Sequence, residues 1–206
     1  MHKVRYNSIE MIGLSGVGKT TLFHNTDSTI FKDLFEHSSV HPIKPSKISF
    51  FFETLVLIVK VVIGVVFSIS LSSFLSRNHI NLYMKLGYRI ASIKMRNLSG
   101  LVYLRDSGVL MPLLSSVIDD RLRIDNTLLF EILSNAPLPK HVYCMIDSPN
   151  NIYNRFISRE KKLGNDIKNY SLSDFQNANT FLFELIKILR KKSVNVTVIN
   201  NKGCTL

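Results

Sequence analysis

Residues 13–20 have the types and spacing that could bind a nucleoside triphosphate, because they read G-x-x-x-x-G-K-T. A β-prone segment precedes them, and a segment that can continue as a helix follows. Glycines let backbone N–H groups turn toward phosphate oxygens, and the positive end of a following helix favours the same anions. We name residues 13–20 the glycine loop and predict that it binds a nucleotide with magnesium.

The side chains of the glycine loop have separate expected roles. Lys19 can reach the β and γ phosphate oxygens, and the Thr20 hydroxyl can hold Mg²⁺. The predicted nucleotide contacts are Gly13, Ser15, Gly16, Val17, Gly18, Lys19, Thr20 and Thr21. The motif alone does not separate ATP from GTP, or phosphoryl transfer from hydrolysis.

A carboxylate that follows the short apolar run 101–104 is a second candidate. Asp106 would lie at the end of a buried strand, where a carboxylate can hold a magnesium-bound water or accept a proton from an attacking hydroxyl. An aspartate in an ordinary turn is the alternative. Asp119 and Asp120 are weaker candidates, because their charged surroundings are typical of a solvated helix end.

Two arginines, Arg155 and Arg159, are four residues apart and share a face of the helix expected after residues 147–150. Guanidinium groups placed there could close over a transferring phosphoryl group and neutralise its developing charge. The alternative is a solvent-facing basic helix paired with Glu160.

The elements that must position these residues alternate between strand and helix along the chain. Apolar runs at 8–12, 101–104, 141–146 and 194–199 predict strands of a parallel sheet. A helix is expected from Ser171 or Ser173 to about Lys192. The loop 200–203 after the last strand would then lie at the edge where ligands bind in such sheets.

Residues 54–75 form an apolar run about as long as a membrane-spanning helix. Strands of one sheet lie before and after this run, which a single crossing does not allow, and the next segment is too basic for a return crossing. We expect a helix that is buried or lies on a membrane surface, although its valines and isoleucines leave a strand open for part of it.

The segment 78–97 is predicted to be an amphipathic helix. Its apolar face comprises Leu82, Leu86, Ile90 and Ile93, and its basic stripe comprises Lys85, Arg89 and Arg96. The stripe indicates either an ordinary surface helix or a face that binds an anionic acceptor or acidic lipid.

The composition favours one globular domain with anionic partners. The chain of 206 residues has 26 Lys and Arg against 15 Asp and Glu, a formal charge of +11. No aromatic-basic motif of a known nucleic-acid module is present, so we expect no nucleic acid as partner. Two distant cysteines, Cys144 and Cys204, indicate reduced thiols and a cytoplasmic location.

With these elements in order, the chain resembles the nucleoside-monophosphate and thymidylate kinase-like branch of the P-loop phosphotransferases, particularly small kinases encoded beside cell-surface polysaccharide genes. The resemblance covers most of the chain and rests on IEMIGLSGVGKTTL, LVYLRDSGVLMPLLSSV and PLPKHVYCMIDSPNNIYNRFISRE. It implies an α/β, three-layer P-loop NTPase fold, with a parallel sheet of about five strands and helices on both faces. Residues 1–206 would be a single domain, with 50–98 a helical insertion that forms the acceptor or lid region.

The resemblance also implies an ATP-dependent kinase. Lys19, Asp106, Arg155 and Arg159 would be catalytic, and Thr20 with Asp106 would hold Mg²⁺. Ser107 stands where relatives often have an acidic residue, and the acceptor region matches no thymidylate or adenylate pattern, so the hydroxyl or anionic acceptor stays open. The alternatives are a regulatory P-loop NTPase, and a nucleotide-binding protein that contacts a membrane peripherally through residues 50–98.

Overall fold

The computed structural model describes residues 6–19, 45–65, 76–96, 102–105, 108–167 and 170–201. These residues form four strands and six helices. In chain order they are β1 (Tyr6–Ile12), α1 (Lys47–Val65), α2 (Arg77–Arg96), β2 (Val102–Arg105), α3 (Leu110–Asp119), α4 (Asn126–Asn135), β3 (Pro139–Ile146), α5 (Pro149–Lys162), α6 (Leu172–Lys191) and β4 (Asn195–Asn200).

The four strands form one parallel sheet in the order β2-β1-β3-β4. The strand before the glycine loop therefore lies centrally, with Met11 opposite Arg105 of β2 and Ile12 opposite Cys144 of β3. Ile146, the last residue of β3, is opposite Asn200 of β4. Because all four strands run in the same direction, the segments that follow them emerge at one edge of the sheet.

The predicted three-layer P-loop NTPase fold with a sheet of about five strands is wrong. The described residues are mostly helical and contribute four strands. Residues 54–65 belong to α1, so the expected helix is confirmed there and the strand that their composition left open is not formed. Their β-branched side chains favour strands only weakly, and helical spacing lets Leu57 and Val61 reach the core together.

The helices bury the faces that their apolar spacing predicts. In α2 the buried residues include Leu82, Leu86, Ile90 and Ile93. In α6 they include Phe175, Ala178, Leu182, Leu185, Ile186 and Leu189. Helix α1 is held against α2 by the ion pair between Glu53 and Lys94, at 2.5 Å, and by edge contact between the rings of Phe50 and Tyr88.

Within the described part of the chain, no helix is both long enough and apolar enough to cross a bilayer. Residues 66–75, the second half of the apolar run, lie outside the described residues.

Candidate functional site

The glycine loop begins directly after β1 and packs against α5. Its glycines, Gly13, Gly16 and Gly18, all have positive φ angles, of 153°, 91° and 97°. Gly16 also approaches α5 so closely that a Cβ there would lie 2.6 Å from the Ile152 carbonyl oxygen. Only glycine combines this conformation with this contact, so the structure requires it at position 16.

Lys19 folds back over the glycine loop. Its ammonium donates a hydrogen bond to the Gly13 carbonyl oxygen at 2.6 Å, with the Leu14 carbonyl oxygen at 3.5 Å. The charge therefore lies inside the curve of the loop, among backbone groups. The predicted neighbours Thr20 and Thr21, and the carboxylate of Asp106, lie outside the described residues.

Arg155 joins α5 to the glycine loop. Its Nε donates to the Gly16 carbonyl oxygen at 2.8 Å, and its Nη2 pairs with the Asp147 carboxylate. That carboxylate also accepts hydrogen bonds from Ser148 N, at 2.6 Å, and Asn151 Nδ2, at 3.0 Å. Burial raises the pKa of Asp147, but these hydrogen bonds, that of Arg155 foremost, bring it below its ordinary value. Arg155 is thus held by an ionised, oriented partner.

Arg159 contacts the loop one turn further along α5. Its Nη2 donates to Ser15 Oγ at 3.0 Å, and its Nε donates to a Glu160 carboxylate oxygen at 2.9 Å. The guanidinium also lies 5.5 Å from the centre of the Phe156 ring. The pairing with Glu160 that the sequence left open is present, and it coexists with the loop contact.

Asn201, directly after β4, closes the other side of the loop. Its Nδ2 donates to the Val17 carbonyl oxygen at 2.7 Å, and its backbone N–H donates to the Ile146 carbonyl oxygen at 3.0 Å. The sequence predicted that residues 200–203 lie near the nucleotide, but it assigned these contacts to neither Asn201 nor Asp147. Their shared signal is a polar side chain immediately after a strand.

The structure therefore brings three predicted cations, Lys19, Arg155 and Arg159, to one backbone loop at the carboxyl edge of the sheet. Each arginine forms an ion pair with one carboxylate: Arg155 with Asp147, and Arg159 with Glu160. Three cations gathered at one loop suit an anionic ligand such as a polyphosphate. The described residues contain no cluster of three or more His, Cys, Asp or Glu that could hold a metal, and both predicted Mg²⁺ ligands lie outside them.

A buried carboxyl that sequence analysis missed lies on β1, three residues before the glycine loop. Glu10 is fully buried, and its Oε1 accepts hydrogen bonds from the N–H groups of Leu110, at 2.9 Å, and Met111, at 3.2 Å. It thereby satisfies two N–H groups at the start of α3 that have no partner within the helix. Its Oε2 is buried without a hydrogen-bond partner.

Burial raises the pKa of Glu10 to about 8, although the α3 N–H groups and the charge of Arg89 oppose this shift. The carboxyl is therefore largely protonated in the folded protein at neutral pH. The sequence signal for Glu10 is a charged residue in the middle of an apolar strand.

The pKa of Glu10 predicts that the protein loses stability as the pH rises from 4.5 to about 8. Across this range the folded state retains a proton that the unfolded state has released, so the free energy of unfolding falls by up to about 1.4 kcal/mol per pH unit. Glu10→Gln mimics the protonated carboxyl. In urea denaturation, we expect the free energy of unfolding of this variant to change less with pH than that of wild type. Near pH 8, the variant should be more stable than wild type. Parallel pH profiles for the two proteins would contradict this assignment.

A cleft of about 670 Å³ lies beside the N-terminal end of α3. It is lined by Phe50, Met84, Lys85, Tyr88, Arg89, Met111, Pro112, Ser115 and Asp119. Met111 links this cleft to β1, because its N–H is bound by Glu10. Lys85 and Arg89 of the predicted basic stripe face the cleft, as the acceptor interpretation requires, whereas the side chain of Arg96 lies outside the described residues.

The charged side chains that line the cleft differ in the partners that hold them. Lys85 forms an ion pair with Asp120 at 2.8 Å, and Arg89 lies 5.9 Å from the centre of the Tyr88 ring. Asp119 accepts a hydrogen bond from the Tyr170 hydroxyl at 3.3 Å, and burial raises its pKa. The cleft thus combines aromatic walls with an arginine for which the described residues provide no direct ion pair.

Comparison with protein-family models and with curated proteins finds no match for this chain. The resemblance to thymidylate kinase-like enzymes therefore stays a prediction.

Proposed function

We propose that the protein is an ATP-dependent phosphotransferase, a small-molecule kinase that moves the γ-phosphate to a hydroxyl or phosphate acceptor. One observation carries the proposal: Arg155 and Arg159 of α5 both donate hydrogen bonds to the loop that contains Lys19. The sequence motif identifies the loop. The arginines that contact it belong to a helix about 140 residues later in the chain. Their convergence supports a site for phosphoryl transfer rather than a chance match to a glycine pattern.

In this proposal the glycine loop binds the β and γ phosphates through its backbone N–H groups and Lys19. The Lys19 ammonium exchanges its bond to the Gly13 carbonyl for phosphate oxygens. Thr20 and Asp106 would hold Mg²⁺, which would screen the phosphate charge when it is bound. Catalysis then consists mainly of positioning and charge neutralisation.

The two arginines have different constraints, and we assign them different roles. Arg155 is braced by Asp147, whose carboxylate is 4% exposed, so it presents a fixed charge beside Gly16. Arg159 is half exposed and bound at the surface, so it can reorient toward the γ-phosphate at little cost. A positioned arginine of this kind contributes about 10³-fold or more to phosphoryl transfer in related chemistry.

The cleft beside α3 is the proposed acceptor site. Phe50 and Tyr88 offer aromatic surfaces, and Lys85 and Arg89 offer charges for an anionic group. This chemistry suits a nucleotide or a phosphorylated sugar. Strand β2 ends at Arg105, opposite Met11 of β1, and Asp106 follows it in the sequence. We assign Asp106 to orient the acceptor hydroxyl.

We place this activity in the cytoplasm, where ATP is abundant. The buried Cys144 is a free thiol, which is compatible with a reducing compartment.

A regulatory nucleotide hydrolase that binds a partner is the second candidate. It is favoured by the exposed apolar side chains of α1, which include Phe51 and Phe52. The two functions differ in whether ADP release requires an acceptor.

An ATP-consumption screen tests the proposal with nucleosides, nucleotides, sugars, sugar phosphates and polyprenyl-linked acceptors. We expect Mg²⁺-dependent ADP release that requires one acceptor class and falls at least about 100-fold in Asp106→Asn. Arg159→Ala should also lower the rate, whereas Lys162→Ala removes a charge from the same helix and should have little effect. ADP release without any acceptor would favour the hydrolase, and equal rates in Arg159→Ala and Lys162→Ala would contradict the role of α5.

A further inference from the structure

Helix α1 presents a continuous apolar stripe to the outside of the described structure. The stripe comprises Ile48, Phe51, Phe52, Leu55, Val59 and Ile63. These side chains are between 47% and 83% exposed. At 3.6 residues per turn they fall within an arc of about 120° along the whole helix. Single exposed apolar residues are common on protein surfaces, but a stripe of six with two phenylalanines marks an interaction surface.

The opposite face of α1 is already used by the core. Leu57 and Val61 are buried there, and Thr54 is nearly so. The helix is therefore apolar on two sides while the described residues cover only one. A helix with this composition normally has apolar surroundings on both sides.

The charges around the stripe are positive. Lys47 and Lys60 are exposed and flank the stripe on its two sides, by helical geometry. Glu53 is the single acidic residue of α1, and Lys94 neutralises it at 2.5 Å. The whole chain has a formal charge of +11. Within the described residues, a surface that covers the stripe therefore meets the positive charges of Lys47 and Lys60 at its borders.

We infer that α1 lies on the surface of an anionic membrane, with Phe51, Phe52 and the other stripe residues inserted among the lipids. An apolar face bordered by lysines can lie in the bilayer interface, where the lysines meet anionic headgroups. Lysine stems extend along the apolar surface and place their ammonium groups at the lipid phosphates.

Co-sedimentation of the full chain with vesicles tests this inference. The anionic vesicles contain equal parts of phosphatidylglycerol and phosphatidylcholine, and vesicles of phosphatidylcholine alone are the reference. Wild type should bind the anionic vesicles, and high salt should weaken binding because the lysine contribution is screened. Phe51→Ser/Phe52→Ser should lower the partition coefficient by about tenfold or more. Phe183→Ser, at an exposed phenylalanine of α6, is the matched control and should bind like wild type.

Three outcomes would overturn the inference. One is wild-type binding that the double variant retains. Another is a dimer in light scattering that the double variant loses, without vesicle binding, which would assign the stripe to a second copy. The third is a monomer that does not bind the anionic vesicles. Matching thermal denaturation of wild type and the double variant establishes that folding is intact, and ATP turnover in solution should not change.

Discussion

Lys19→Ala is expected to lower ATP turnover by at least about 100-fold. The ammonium lies inside the glycine loop, 2.6 Å from the Gly13 carbonyl oxygen, where incoming phosphate oxygens would meet it. Its removal takes away the charge that the proposed reaction uses at the β and γ phosphates. Steady-state ADP release with the acceptor found by screening measures the effect.

The same substitution should have little effect on folding. Lys19 is partly exposed, and its bonds to loop carbonyls are ones that water can replace, so we expect a stability loss of about 1 kcal/mol or less. Urea denaturation separates this small loss from the large loss of turnover. Full turnover in a folded Lys19→Ala protein would remove the loop from the mechanism.

Gly108→Ala is expected to destabilise the protein by about 3 kcal/mol. A Cβ at position 108 would lie 2.0 Å from the Glu10 side-chain Cδ and 2.2 Å from its Oε2. The carboxyl is fully buried and held by the first N–H groups of α3, so it has no space into which it can move. Either β1 or the start of α3 must shift, and both border the proposed site.

A double-mutant cycle identifies the clash as the cause. Glu10→Ala removes the atoms that the new methyl group would meet, so adding Gly108→Ala to that variant should cost less than adding it to wild type. Urea denaturation of the four proteins gives the coupling energy. A cost that is the same in both backgrounds would show that Gly108 is needed for another reason.

The parts of the site that sequence predicted are those that depend on local patterns. The glycine loop follows a fixed spacing, and Arg155 with Arg159 follows from helical spacing after a turn. Their hydrogen bonds to Gly16 and Ser15 were not predicted, and they join α5 to the glycine loop in the described structure. The buried faces of α2 and α6 followed from helical periodicity alone.

The parts that sequence did not predict depend on contacts between distant residues. Glu10 takes its role from N–H groups about 100 residues later, and a single acidic residue in a strand does not indicate such a partner. The role of Asp147 depends on its contact with Arg155, which the sequence alone does not indicate. The helix expected over residues 54–65 is present, but the ion pair and the ring contact that join α1 to α2 were not predicted.

The central claim, that the glycine loop binds Mg²⁺ with ATP, is tested most directly by calorimetric titration of the wild-type protein with Mg²⁺·ATP in the absence of acceptor. We predict saturable binding at one site, weakened at least about tenfold by Lys19→Ala and unchanged by Lys162→Ala. Wild-type protein that binds no nucleotide, or a Lys19→Ala protein that binds as tightly as wild type, would contradict it.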